Sequence, residues 1–407
     1  MSSRLKILHV ASWYPSEVHL SLGNFVERHI EAVAKVCDVE VWAPIPVKGS
    51  MSNILKMRKK NGTEIREMHG QTWTVRRLYH EATRPQLVGV ARSMASVASN
   101  MDWTPDVVHV HVSHPAGSSA VAWAHKWKVP VVLTEHWTAY HDFKSVPWWR
   151  RRVIRDVLKR TDAVCPVSED LGEAMTIAAP GMDASVHVVP NVVDTDIFKP
   201  ATLETLAGVP VGNARRRMEK HAPERILHVS SMNDDQKNIA GLLAALAPIF
   251  DQNKKLKATF VGGEKAGLES YKSWVNDHGL TDHISFTGPL NTEEVVKHMQ
   301  RHDVLVLNSR KENFPCVIPE AWACGIPVMS TDVGGIREQL PPGLSDRGFL
   351  LPKDATGTDW MNAWNQVRQA SWSTDKLRDY AKKHFSPEAV GASYNRVYQT
   401  VLASRLT

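Results

Sequence analysis

The chain has 407 residues, 43% of them hydrophobic, with 49 basic against 43 acidic side chains and a net charge of +6. That length exceeds one ordinary core and predicts two domains of about 200 residues each. The mild positive balance permits an anionic substrate or membrane surface without implying nucleic acid, and no apolar run approaches the roughly 20 residues needed to span a bilayer.

The opening segment, MSSRLKILHVASWYP, enters a strand directly, without an apolar leader and small-residue cleavage site, so a cytoplasmic protein is expected. Strand 5–11 leads through the loop SWYPSEVHLSLGN into a helical run at 24–36. Gly23 can take a positive φ and let backbone approach a ligand, and Asn24 is a candidate helix cap. Apolar runs at 38–44, 72–78, 107–113, 130–135, 163–167 and 186–190 read as further strands, with a helical pattern at 116–127.

His109, His111 and His114, then Glu135, His136 and His141, are metal-ligand types. They include no i, i+4 histidine pair on a helix, and His109 and His111 fall within a buried strand, so the reading is no metal site. His136 differs because it closes a strand, where open α/β sheets gather ligands. The stretch 145–160, SVPWWRRRVIRDVLKR, joins Trp148 and Trp149 to Arg150, Arg151, Arg152, Arg155, Lys159 and Arg160, with Val153, Ile154, Val157 and Leu158 on an apolar face. A core-facing helix with a solvated basic side fits this pattern, and so does peripheral contact with an anionic membrane. Asp194-Thr195-Asp196 has the D-x-D spacing of some metal–nucleotide sites, but its setting reads as a turn.

The alternation restarts near 225, after the polar stretch GNARRRMEKHAPER, which sets the expected domains at 1–200, 201–386 and a terminal segment 387–407. Strands are expected at 225–231, 257–262, 284–288, 304–308 and 326–331, with helical patterns at 238–250, 267–278 and 292–301. Alternating units with near-continuous apolar strands indicate an α/β protein with parallel sheets covered on both faces. Val390, Tyr394, Val397, Tyr398 and Val401 lie on one helical face. Cys37, Cys165, Cys316 and Cys324 are scattered and read as reduced thiols.

Two loops of the second half carry the chemistry. In HVSSMNDDQKN, Lys237 follows a strand, where an ammonium can face a diphosphate as a point charge. In ENFPCVIPEAWACGIPV, Glu312 and Glu320 follow the apolar run VLVLNS, at a turn that opens a helix. Backbone N–H groups there suit phosphate and carboxylates suit hydroxyls, a combination fitted to a nucleotide sugar. Thr331 to Glu338 forms another strand-end loop, with Gly334 and Gly335 allowing close backbone approach.

Together these segments resemble the retaining family-4 glycosyltransferases across nearly the whole chain, most strongly from 284 to 340. Glu312 and Glu320 match the family's E-x(7)-E, and EAWACGIPV, the glycine pair with Glu338, PNVVDTDIFKP and ISFTGPL fall in family order. The resemblance implies the GT-B architecture: two Rossmann-like domains facing a cleft, the terminal helix crossing back to the first. It implies that Glu320 binds the ribose and Glu312 the sugar hydroxyls, with Asn313 and the backbone of Phe314, Pro315, Cys316 and Val317 around sugar and phosphate. By the same likeness His136 faces the donor sugar, and Gly23 and Asn24 approach the diphosphate and acceptor. Three departures stand out. Ser231, or in the other register Met232, occupies the place of a phosphate-binding arginine ahead of Lys237, with Ser231 the favoured match; Glu312-Asn313-Phe314-Pro315 replaces E-G-F-G, and Gly23-Asn24 replaces the glycine pair of many relatives. The implied activity is sugar transfer from a nucleoside-diphosphate sugar, without a resident cofactor or metal, to a saccharide or lipid-linked saccharide in surface or exopolysaccharide assembly. An epimerase, a phosphorylase or a non-catalytic sugar-binding protein of this architecture is the alternative.

Overall fold

The computed structural model describes residues 4–19, 22–68, 71–82, 86–202 and 224–405. The polar stretch 212–225 therefore lies outside the described residues except for its last two positions, as do Leu20 and Ser21 of the first loop. The chain divides into two compact units, residues 1–192 with 387–407, and residues 193–386. The break falls at Val193 where the sequence suggested 200, and the terminal segment belongs to the first unit.

The first unit runs β1 (Lys6–Ala11), α1 (Asn24–Ala34), β2 (Asp38–Val47), α2 (Met51–Asn61), β3 (Thr63–Met68), β4 (Gln71–Glu81), α3 (Gln86–Ala98), β5 (Val107–His111), α4 (Gly117–Trp127) and β6 (Val131–Glu135). A 3-10 segment at Thr138–Ser145 leads into α5 (Trp148–Lys159), β7 (Ala163–Pro166), α6 (Glu169–Ala178) and β8 (Ser185–Val186). The strands form one sheet in the order β3-β4-β2-β1-β5-β6-β7-β8, parallel except for β3 against β4. β5 and β6 are buried along their whole length, as strands covered on both faces must be. β3 lies outside the expected strands for a physical reason. TEIREM has no apolar run because it is an edge strand, with Ile65 exposed.

The second unit runs β9 (Arg225–Val229), α7 (Asp234–Lys237), α8 (Ile239–Gln252), β10 (Lys257–Val261), α9 (Lys265–Asp277), β11 (Ile284–Gly288), α10 (Thr292–Arg301), β12 (Val304–Leu307), α11 (Val317–Ala323) and β13 (Val328–Thr331). It closes with α12 (Ile336–Gln339), β14 (Gly343–Ser345), β15 (Gly348–Leu351), α13 (Gly357–Gln369) and α14 (Thr374–Phe385). Its sheet order is β11-β10-β9-β12-β13-β15-β14, with only the β14/β15 hairpin antiparallel. Leu242, Leu246 and Phe250 of α8 share a core with Trp360 and Trp364 of α13. Asn291 and Glu294 form a reciprocal capping box that starts α10.

The last helix, α15 (Pro387–Ala403), packs into the first unit's core through Val390, Tyr394, Val397, Tyr398 and Val401, all buried. Gly391 makes this possible. A Cβ there would stand 2.3 Å from the Ala32 carbonyl oxygen, so only glycine lets α15 touch the backbone of α1. Among the described residues no helix is long and apolar enough to cross a membrane.

Candidate functional site

In the second unit β9 pairs with β12, so the loops leaving their carboxyl ends lie side by side. Leaving β9, Ser230 fixes the turn: its Oγ bonds His228 Nε2 at 2.8 Å and accepts the Met232 N–H at 3.0 Å. Met232 takes a positive φ of 59° and buries its side chain, leaving Ser231 exposed. Gly262 and Gly263 make room for this loop. A Cβ on Gly262 would lie 1.8 Å from the Ser230 oxygen, and one on Gly263 2.8 Å from Met232 Cβ. The sequence reading passed over both glycines, although V-G-G at the end of an expected strand was their signal.

α7 follows as a single turn, capped by Asn233, whose Oδ1 accepts the Gln236 N–H at 3.1 Å. It presents Lys237, whose Nζ donates to Glu312 Oε1 at 2.6 Å, and Ser309 Oγ donates to the same oxygen at 2.7 Å. The two charged side chains are 15% and 6% exposed. Lys237 is therefore no solvated surface residue; ammonium and carboxylate leave water together, which demands good mutual geometry. The Arg310 N–H donates to the Gln236 carbonyl at 2.8 Å and binds the two loops through backbone as well.

Beyond Glu312 the chain buries Asn313, Phe314 and Pro315, with Phe314 edge-on to Phe385 at 5.6 Å. Cys316 and Val317 are half-buried at the entry to α11, and the Cys316 carbonyl accepts the Glu320 N–H at 3.1 Å. Glu320 is itself buried, in the first turn of that helix. At the neighbouring strand end Thr331 Oγ1 donates to the Ser309 carbonyl at 3.3 Å, tying the loop after β13 to the one after β12. Arg337 pairs there with Asp332.

In the first unit His136 follows β6, and the loop carrying it is held by Glu135. This buried carboxylate accepts N–H bonds from His136 at 3.0 Å, Trp137 at 3.2 Å and Ser113 at 3.0 Å, and an O–H bond from Tyr140 at 3.0 Å. The His136 ring lies 4.5 Å from Phe25 and 5.1 Å from His29. Burial, and secondarily the nearness of His29, pushes its pKa well below the ordinary histidine value. Gly23 holds φ at 82° and caps α1, where a Cβ would meet the Trp13 oxygen at 2.5 Å. Asn24 is the first helical residue, exposed, and the expectation that it caps the helix is corrected: only glycine fits the left-handed cap position at 23.

Behind His136 a polar layer crosses the sheet face under α1 and α15. His9 Nδ1 and His111 Nε2 are 2.9 Å apart, and His109 bonds Tyr398 at 2.6 Å and Thr134 at 2.7 Å. Tyr394 links Thr134 and His29, each at 2.9 Å, and His29 reaches Asn191 at 3.0 Å. Burial, then the charge of His29, holds His9 down to about 3, and burial holds His29 down to about 4, against a partly offsetting bond from Asn191. Among the described residues, His9, His109 and His111 are the group close enough to share an ion, with nitrogens within 4.8 Å. Both ring nitrogens of His109 are engaged by Tyr398 and Thr134, while His9 Nε2 and His111 Nδ1 are buried without a hydrogen-bond partner among the described residues.

The Asp194 pair reads as a turn in the structure also: Asp194 Oδ1 accepts the N–H groups of Asp196 at 3.0 Å and Ile197 at 3.1 Å. On α5, Ile154, Val157 and Leu158 face the core while Trp148 is 70% and Trp149 43% exposed. Arg150 turns inward, over the Trp137 ring at 4.3 Å and within the field of Glu135. It is set apart from Arg151, Arg152, Arg155 and Lys159, which line an open surface groove with Trp148 and Asp156.

Two family models match the chain, Glycosyltransferase Family 4 over residues 25–197 and Glycosyl transferases group 1 over residues 213–384. A putative teichuronic acid biosynthesis glycosyltransferase from Bacillus subtilis is 27% identical over 360 residues, 86% of each chain. Among solved structures, sucrose-phosphate synthase from Thermosynechococcus elongatus superposes with a TM-score of 0.71 at 19% identity, covering 98% of this chain and all of that one. HepE from Anabaena, solved in complex with UDP, gives 0.69 at 17% identity, covering 97% of this chain and all of its own. The paired strand-end loops of each unit thus sit in a known architecture, and the chain belongs to glycosyltransferase family 4, as a glycosyltransferase of the GT-B type.

Proposed function

We propose that the chain transfers a sugar, with retention of configuration, from a nucleoside-diphosphate sugar to a hydroxyl of a saccharide or lipid-linked saccharide in surface glycan or exopolysaccharide assembly. The observation that carries this reading is the buried Lys237–Glu312 pair on the strand-end loops of the second unit. An ammonium beside a diphosphate stabilises the charge that develops as it departs, and a preorganised carboxylate can accept bonds from sugar hydroxyls. Glu320 would hold the ribose, the backbone from Asn313 to Val317 the sugar and phosphate, and Ser231 would line the diphosphate side without a charge. His136 and the Gly23-Asn24 turn would be the first unit's contribution. UDP bound to HepE and the teichuronic acid role named for the Bacillus relative support a nucleotide-sugar donor and a saccharide acceptor in kind.

Mass-spectrometric screening of a mixed nucleotide-sugar panel tests the proposal, read as nucleotide release that depends on added acceptor. NMR should find the donor's anomeric configuration preserved in the product, and inversion would overturn retention. Lys237 is expected to supply the leaving-group charge, so turnover should survive a chelator. Chelator-sensitive turnover restored by a divalent ion would reverse that part of the reading.

The exposed indoles and basic groove of α5 support peripheral contact with an anionic membrane at its cytoplasmic face, where a lipid-linked acceptor is met. Each lysine or arginine near such a surface contributes about 1 kcal/mol before salt screening. Co-sedimentation with anionic vesicles at low salt should fall when Arg151, Arg152 and Lys159 become glutamate. Arg150 is left out because it faces Glu135. A wild-type chain that ignores such vesicles points to a soluble acceptor.

A further inference from the structure

The loop Ser230 to Asn238 carries one cation, Lys237, against Asp234 and Asp235. Its own charge is thus −1, the wrong sign for a segment that would receive a diphosphate. Arg310, from the loop after β12, brings the sum to zero. Its guanidinium donates to the Asp234 carboxylate at 3.3 Å, and also to the Asp234 carbonyl and to Asn238 Oδ1. Asp234 is meanwhile used from its other oxygen, which accepts the Ala240 N–H at 2.8 Å at the start of α8. Asn238 stands in the left-handed region at φ 50°, as the joint between α7 and α8. Gly241 leaves space for its side chain, since a Cβ there would fall 2.4 Å from Asn238 Oδ1.

Resting on the donor reading of Lys237, we propose that Arg310 is a positioning residue for the diphosphate. It cancels the Asp234 charge and locks both ends of the one-turn helix that aims Lys237. Every contact of the guanidinium named above goes to the two residues that bracket Lys237, at three and one positions away. The Arg310 backbone N–H holds Gln236 between them. A side chain that neutralises one aspartate and pins the joint leaves Asp235 as the loop's one uncompensated carboxylate beside the Lys237 ammonium. Burial raises the pKa of the Asp234 carboxyl, but the Ala240 N–H and the Arg310 guanidinium outweigh it and hold the group below its usual value, consistent with a carboxylate that stays ionised beside Arg310.

Calorimetric titration with whichever of UDP, GDP and ADP binds the wild-type chain most tightly tests this. Arg310→Gln should weaken binding about tenfold and raise the donor KM with little change in kcat. Asp234→Asn added to that variant keeps the bond from Ala240 but removes the exposed charge, and should restore binding at least threefold. A purely structural clamp would give no such rescue. Asp234→Asn alone leaves the Arg310 charge unopposed and should tighten binding, a readout that does not depend on Arg310→Gln folding. Unchanged affinity in Arg310→Gln, failed rescue in the double variant, or weaker binding in Asp234→Asn overturns the proposal. If Lys237→Ala itself leaves nucleotide binding untouched, the donor reading falls instead, and the two failures are told apart.

Discussion

The two units bury polar groups in opposite ways. Under α1 and α15 the first unit keeps a layer of imidazoles and phenols that desolvation holds neutral, with bonds running from Tyr398 through His109, Thr134 and Tyr394 to His29. The second unit buries a full ion pair, Lys237 with Glu312, at the end of its sheet. A neutral layer carries no charge to desolvate, although His9 Nε2 and His111 Nδ1 are buried there without partners among the described residues. A buried ion pair is costly to desolvate and strongly penalised when one partner is lost, so it belongs where a charged molecule can share it. One arrangement fixes shape, and the other is the pair we propose the donor shares.

The largest effect should come from breaking the pair. Lys237→Ala leaves Glu312 buried against Ser309 alone, and the second unit should lose about 3 kcal/mol of stability along with at least tenfold in nucleotide affinity. Urea melts and titration read both, and an unchanged melt would mean the pair is no stability element. Next is Tyr394→Phe, which strips partners from His29 and Thr134 and should cost about 2 kcal/mol, seen as faster amide exchange in the first unit only. Glu320→Ala should weaken nucleotide binding without such a change.

A pH series separates the units further. Burial lowers the folded-state values of His9 and His29 below the unfolded value near 6.5, so the unfolded chain takes up protons first as pH falls. The first unit's stability is therefore complete above about 6.5 and declines below it, down to about 4 for His29 and about 3 for His9. The slope approaches about 1.4 kcal/mol per pH unit for each histidine. His9→Asn should flatten the decline between pH 6 and 5, and an equal slope would show that His9 does not titrate with folding. The smallest effect expected is that of salt. Raising NaCl from 0.1 to 1 M should weaken nucleotide binding yet move the Tyr394→Phe penalty by less than about 0.5 kcal/mol, since neutral bonds are not screened.

Much of this was legible in the sequence. Covered parallel strands must be apolar throughout, so β1, β5, β9 and β12 announced themselves, and the apolar stripe of 387–404 gave the buried face of α15. The strand-end loops carrying Glu312 and Lys237 were visible too, but not that the two side chains meet. What was not visible is pairing over distance. Nothing near Arg310 shows that it reaches across 76 positions to Asp234, and periodicity assigns His109 to a face without naming Tyr398 as its partner. Arg150 also misled, because charge alone does not reveal that Glu135 waits inside. The Gly23 cap was misread by one residue, since side-chain capping chemistry favours asparagine while the observed backbone demands glycine.

The return of α15 to the first unit sets an order for the chain's synthesis. Residues 1–192 leave the ribosome first, but their core waits for Tyr394, Tyr398 and the close approach at Gly391, while the second unit is one unbroken segment that can finish early. At about 5–20 residues per second, making the intervening segment takes roughly 10–40 s. Throughout that interval α1 presents an uncovered apolar seam with His29 and His109 short of their phenol partners. The nascent chain, more than the finished enzyme, is where a chaperone would find something to hold.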